Sequence, residues 1–281
     1  MKIQVIKDET QPKSTVPLKK KKKKSKRHPI LKFIITTVII LVLFVVLAIS
    51  PLFKISEIDV SGNKHNTSTD IIAASGITTG SNAFKTMGFN LKNIFTLSYG
   101  ASEKRITDSY PYVKKASVRL VIPGKISIKI IERVPAFMVP YTGTTLIIDE
   151  DGFVTEAVDD ISKVKLPVIN GLSFDNYKPG QKLKLKNEEA FQECNELIKA
   201  IKDSDNLSSF KLYSILKSID AADAGNIKFQ LDSRIKVNFG DLQDLSYRIT
   251  FLKEIYQKQI KKNEKGILDF TEKNPRFTPD K

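Results

Sequence analysis

The chain has 281 residues and a formal charge of +15, with 46 Lys and Arg against 31 Asp and Glu, one cysteine and two histidines. A single cysteine excludes an intramolecular disulfide, and the two histidines occur without HExxH, CxxC or paired-His spacing, which argues against a zinc centre. There is no GxSxG, P-loop or SxxK string and no acidic cluster stands out, so neither an enzyme nor a cofactor is the expected reading.

The first 32 residues hold eleven Lys, one Arg and two acidic residues, about +10 of the total charge. Residues 1–29, with Pro12, Ser14, Thr15, Pro17 and the run Lys19 to Lys24, read as a disordered basic tail. No aromatic residue interleaves with these lysines, so there is no base-stacking platform and nucleic acid is not an expected partner. Attraction to anionic membrane lipid is expected instead.

Residues 30–50 (ILKFIITTVIILVLFVVLAIS) follow, uncharged from Phe33 to Ile49 and without a polar face. That is the roughly 20 residues a bilayer-crossing helix needs. Basic flanks stay cytoplasmic, so residues 51–281 are expected outside, with the chain as a single-pass protein of the cell membrane. A cleaved signal peptide is the competing reading; its basic segment is normally much shorter, and Pro51 after Ala48-Ile49-Ser50 disfavours cleavage. A lone cysteine, Cys194, suits a bacterial envelope better than a eukaryotic secreted domain.

Beyond the anchor the first unit runs over 51–133. Phe53 to Val60 is β-rich and ends at the turn signal Ser61-Gly62-Asn63. Thr69 or Asp70 is positioned to cap a helix carrying Ile71, Ile72 and Ala74, stopped by Ser75-Gly76. Gly80-Ser-Asn-Ala-Phe84 reads as a loop with one apolar plug, and a second helical region lies between Asn90 and Ser109. Ala116, Val118, Leu120 and Ile122 then alternate with polar or exposed positions, as do Ile126, Ile128 and Ile130, across Pro123-Gly124, which suits a type II turn. The order is β-α-α-β-β. Glu132 and Arg133 are adjacent on a strand and so face opposite sides; they are expected to serve structure at the domain junction rather than pair with each other.

The second unit, 134–270, opens with a hairpin, Leu146 to Val154, turned at Asp151-Gly152. Leu166 to Ile169 is another strand, and Asn187 is expected to cap a helix through about Lys202 with Phe191, Cys194, Ile198 and Ile201 inward. Ile227, Phe229 and Leu231, then Ile235, Val237 and Phe239, alternate across Asp232-Ser233. Asp241 is the expected cap of a helix bearing Leu242, Leu245, Ile249, Leu252 and Ile255, and Ile267 to Phe270 is a final short strand. Residues 271–281, with Pro275 and Pro279, read as a mobile tail. The fold class is α+β: a transmembrane helix, a β-α-α-β-β domain, and a mixed β domain with flanking helices.

The strings Ile58-Asp-Val-Ser-Gly-Asn63, Ser75-Gly-Ile-Thr-Thr-Gly-Ser-Asn-Ala-Phe84 and Tyr110-Pro-Tyr-Val113 give the first unit a resemblance to a POTRA domain. The segment from Val118 to Pro135, with Pro123-Gly124 and Glu132-Arg-Val-Pro135, is similar to that of the FtsQ/DivIB family of bacterial division proteins. The resemblance implies a divisome scaffold at the division septum. Its expected partners are small coiled-coil proteins of the FtsB/DivIC and FtsL type and other divisome components, through which it helps control septal peptidoglycan synthesis. It also implies that the last strand and the helix before it carry the partner contact, here Tyr247, Phe251, Lys258, Ile267, Leu268, Asp269 and Phe270. Physically, an open sheet edge near a C-terminus can take up a partner strand. The competing reading is that Ile267 and Phe270 simply close the sheet core. A membrane-anchored envelope enzyme and a POTRA-bearing outer-membrane translocation factor are the other function classes; the second needs a long C-terminal β-barrel.

Overall fold

The computed structural model describes residues 29–88, 90–272 and 274–280. The basic tail, with its expected disorder and lipid attraction, lies outside the described residues up to Arg27-His28.

Helix α1 (Pro29–Ala48) starts with proline, whose missing N–H costs nothing at a helix start. Its 20 residues make about 30 Å at the α-helical rise, a hydrocarbon thickness. The Thr37 hydroxyl donates back to Phe33 O at 2.9 Å, so its polar atom is satisfied within the helix. Among the described residues this is the one helix long and apolar enough to cross a membrane. Residues from Ile49 onward form a separate compact unit.

That unit begins with a turn of 3-10 helix (Pro51–Phe53) and strand β1 (Glu57–Ser61). Four short helices follow, α2 (Ser68–Ser75), α3 (Ala83–Met87), α4 (Leu91–Thr96) and α5 (Gly100–Ser109), then β2 (Val113–Val121) and β3 (Lys125–Glu132). β3 is central, parallel to β1 and antiparallel to β2. Alternation buries Val113, Ala116, Val118 and Leu120 from β2 and Ile126, Ile128 and Ile130 from β3 against Ile71, Met87 and Ile106 from the helices and Tyr99 just before α5.

Three local expectations are corrected here. The cap of α2 is Thr67, which shares a reciprocal box with Asp70, rather than Thr69 or Asp70. The second helical region is interrupted between α4 and α5, because Leu97 (φ 50°) leaves helical space. In the β2–β3 turn Gly124 lacks the positive φ that position i+2 of a type II turn needs, so the turn is not type II. Gly124 is required there by close approach: a Cβ would stand 2.2 Å from Lys54 O.

The larger sheet is built from β4 (Pro135–Tyr141), β5 (Thr144–Asp149), β6 (Val154–Val158) and β7 (Val168–Asn170), then β8 (Leu216–Asp220), β9 (Ile227–Leu231) and β10 (Ile235–Gly240), and finally β11 (Gly266–Asp269) and β12 (Arg276–Pro279). Spatial order is β12-β11-β10-β9-β8-β7-β4-β5-β6. Helix α6 (Glu188–Asn206) connects the parallel neighbours β7 and β8, and α7 (Leu245–Lys258) connects the parallel neighbours β10 and β11. Parallel strands need such crossovers, and both helices bury their apolar faces in one core with the sheet. Cys194 lies fully buried in that core, and burial pushes its thiol up to about 12.

Asn187 precedes α6 without capping it. Its Oδ1 accepts from Ser173 N at 3.0 Å, while Nδ2 donates to Gly171 O at 3.0 Å and Ala221 O at 2.9 Å. The side chain ties two loop segments together instead of capping the helix end. Likewise α7 starts after Asp244, not Asp241.

The two sheets join without a linker, since only Arg133 and Val134 separate β3 from β4. Arg133 N donates to Tyr112 O at 2.7 Å, and its guanidinium meets Asp149 Oδ2 at 2.7 Å over the face of Phe153. Both charged side chains are buried, so this pair is part of the interior. Glu132 turns the other way and accepts from Lys64 N and His65 N at 2.7 and 2.9 Å. Arg133 thus serves the junction, whereas Glu132 serves the smaller domain alone.

Candidate partner-docking surface

The expected docking segment lies where β10, α7, β11 and β12 meet. The β9–β10 turn places Asp232 and Ser233 at φ 53° and 59°, the left-handed pair of a tight hairpin. Beyond β10, Arg248 on the first turn of α7 gathers main-chain carbonyls. Its Nη1 donates to Asp241 O at 2.6 Å and Gln243 O at 3.3 Å; Nη2 donates to Phe239 O and, at 3.4 Å, to Phe270 O. The guanidinium lies 4.2 Å from the Phe239 ring centre. One side chain thus clamps the ends of β10 and β11 to the start of α7. No local pattern in the sequence points to it, because its partners come from three segments.

An aromatic ladder runs outward from this clamp. Phe239 and Phe270 have ring centres 5.6 Å apart, Phe270 and Phe251 meet edge to face at 6.4 Å, and Phe251 stacks with Tyr247 at 6.2 Å. Exposure rises along the ladder, from Phe270 at 6% to Tyr247 at 70%. Tyr247, Arg248, Phe251 and Phe270 line a cleft of about 380 Å³ whose other wall includes Glu272, Asn274 and Pro275.

The seven expected residues do not form one surface. Tyr247, Phe251 and Phe270 come together at the cleft. Lys258 sits eleven residues beyond Tyr247 on α7, about 16 Å along the helix, paired with Glu254 at 2.6 Å. Leu268 is fully buried, and Phe270 is core at the cleft's floor. Ile267, 39% exposed, and Asp269 point to the opposite sheet face from Leu268. Asp269 accepts from Thr271 N and Oγ1 at 2.8 and 2.6 Å, and these bonds hold its carboxyl below the ordinary range. It fastens the turn out of β11.

The main correction concerns the open edge. β11 is not terminal: it is paired with β10 on one side and antiparallel with β12 on the other, Gly266 opposite Pro279 through Asp269 opposite Arg276. The expected mobile tail therefore contributes a strand, and the edge lies on β12. Gly266 is what lets β12 approach, since a Cβ there would meet Thr278 O at 2.3 Å. Phe277 packs onto the core opposite Leu268.

The register defines what β12 offers outward. Asp280 N donates to Lys265 O, so Thr278 and Arg276, at the same parity, also direct their main-chain groups at β11. Phe277 directs its N–H and C=O outward. Its neighbours at that parity, Pro275 and Pro279, have carbonyls but no N–H. The edge is short and flanked by proline, which limits nonspecific pairing yet leaves one donor and several acceptors for a matching strand.

Comparison with known proteins identifies both domains. Residues 53–133 match the family described as POTRA domain, FtsQ-type, and residues 138–270 match Cell division protein FtsQ/DivIB, C-terminal. The chain is 27% identical over 229 residues to the cell division protein DivIB of Clostridium botulinum strain Hall, covering 81% of this chain and 82% of that protein. It is 26% identical to DivIB of Clostridium tetani, covering 80% and 79%. It is also 23% identical to the cell division protein FtsQ of Syntrophotalea carbinolica, covering 82% and 73%.

Proposed function

Because the chain belongs to the FtsQ/DivIB family of cell division proteins, we propose that it is a non-enzymatic scaffold of the bacterial divisome. It docks small coiled-coil division proteins of the FtsB/DivIC and FtsL type and through them helps control septal peptidoglycan synthesis. Its basic tail stays cytoplasmic beside anionic lipid, α1 spans the membrane, and the two sheet-bearing domains work outside the cytoplasm at the division septum.

The observation that carries this reading is the outward edge of β12 lying beside the cleft of Tyr247, Phe251 and Phe270. A partner strand pairs with Phe277 main chain and places an apolar side chain on the aromatic ladder, so that hydrogen bonds give affinity and the cleft gives specificity. The contact surface of the resemblance is thereby narrowed to Tyr247, Phe251 and the rim of Phe270, with Ile267, Leu268 and Asp269 acting through the strand they form. Lys258 lies too far along α7 to share that cleft.

The sheet has two free edges, β12 and β6, and does not close, so the described residues give no support to a barrel-bearing translocation factor.

The test is capture of these coiled-coil proteins by the full detergent-solubilised chain. Tyr247→Ala is expected to weaken capture about tenfold or more, the loss of a central aromatic anchor, without lowering the melting temperature. Undiminished capture by Tyr247→Ala and also by a chain lacking residues 275–281 would move the docking site elsewhere.

A further inference from the structure

Outside α1, Phe95 is the most exposed phenylalanine among the described residues, at 85%, and Leu91 one helical turn before it is 71% exposed. Both lie on α4, whose Ile94 packs inward against the smaller core. Adjacent on one helical face, the two make a contiguous apolar patch, the kind of surface that marks an interaction site.

Its place in the chain says what covers it. Ile49 and Ser50 follow α1 directly. Asn82 Nδ2 donates to Ser50 O at 3.2 Å, Ile55 N donates to Ser81 O at 2.8 Å, and Phe53 packs edge to face on Phe84 at 5.0 Å. The residues leaving the apolar helix are thus fastened to the start of α3, and α3 packs on α4. The Tyr99 hydroxyl donates to Ala83 O at 3.0 Å and locks the same end. Ile49 and Leu52 add further exposed apolar surface there, at 58% and 60%.

Charge points the same way. From Ile71 to Ser102 there are two lysines, Lys85 and Lys92, and no acidic residue. Both lysines are exposed, as is Lys54, and Arg119 donates to Thr96 O at 2.7 Å at the end of α4.

We propose that α4 and the 3-10 turn, both tied to α3, form a membrane-contact surface, with Phe95 and Leu91 entering the acyl boundary of an anionic bilayer while Lys85, Lys92 and Lys54 meet its phosphate headgroups. Aromatic and aliphatic residues flanked by cations are the composition of interfacial anchors. The contact holds the smaller domain down on the lipid surface and fixes the direction in which the larger sheet is presented. This rests on the reading of α1 as a membrane span.

The chain contains no tryptophan, so a single substitution supplies the only indole emitter. The full chain would be reconstituted into nanodiscs containing phosphatidylglycerol, with and without brominated acyl chains, in three versions. Leu43→Trp, within α1, reports the span. Leu207→Trp, at the end of α6 and 92% exposed in the parent, reports solvent. Phe95→Trp is expected to be blue-shifted and to lose most of its emission to brominated lipid, like Leu43→Trp and unlike Leu207→Trp. A Phe95→Trp signal as solvent-exposed as that of Leu207→Trp overturns the proposal, as does a blue shift without bromine quenching, which would mean a protein partner or a second copy. If Leu43→Trp escapes quenching, it is the span that fails, and the contact surface fails with it. Equal quenching in purely zwitterionic discs overturns the role given to the lysines.

Discussion

Arg133 and Phe270 show how much a single side chain carries here. Arg133 and Asp149 are both buried, and Asp149 Oδ1 also accepts from Asp151 N and Phe153 N at 3.0 and 2.8 Å. Arg133→Met leaves a buried carboxylate without its counter-ion, and the expected loss is about 3–5 kcal/mol in urea unfolding. Adding Asp149→Asn to that variant should recover part of the loss, because the remaining group is neutral. Phe270 touches Phe239 and Phe251 and is almost wholly buried, so Phe270→Ala is expected to cost about 3–5 kcal/mol. Loss of partner capture in that variant would therefore accompany a lowered melting temperature. Tyr247 separates docking from folding, and Phe270 does not.

At the scale of elements, β12 depends on a residue outside itself. Gly266→Ala places a methyl group against Thr278 O and Pro279. It is expected to detach β12 while leaving β10 and β9 paired, which hydrogen exchange would read as lost protection at Thr278 with retained protection at Val237 and Phe229. The hairpin β2–β3 and the alternating pair β9–β10 were legible in the sequence because each buries one face, so periodicity and burial report the same fact. β12 was not. Its four residues, RFTP, follow Pro275 and end in Pro279, and proline normally demotes a strand assignment. Only an edge position, where an outward N–H is dispensable, makes the two compatible. Arg248 escaped notice, and Asn187 was read as a helix cap, for a different reason: each bonds to main chain from distant segments, and such contacts leave no periodic mark. Of the candidate site, the helix-plus-strand neighbourhood was readable, whereas which strand forms the edge depended on tertiary pairing.

For the molecule as a whole, acid stability should follow its carboxylates. Hydrogen bonds from Arg234 hold Asp232 below its ordinary range, Lys114 does the same for Asp151, and Thr271 for Asp269. A carboxyl depressed in the folded state stabilises it fully above the unfolded value, and that stabilisation is lost as pH falls through the folded value. The melting temperature should therefore be level around neutrality and fall on acidification below about pH 4, the unperturbed carboxylate region. A maximum near pH 4 in a calorimetric series would contradict this sign.

The missing linker between β3 and β4 has a mechanical side. A pull on Phe277 passes across the hydrogen-bonded strands to β4, runs straight through Arg133 into β3, and reaches Ser50 by way of β1 and the Asn82 tie. Nowhere along that route is there a slack segment to take up tension. The two sheets do not hold Phe277 on a leash; they transmit load, and displacement at one end arrives at the other.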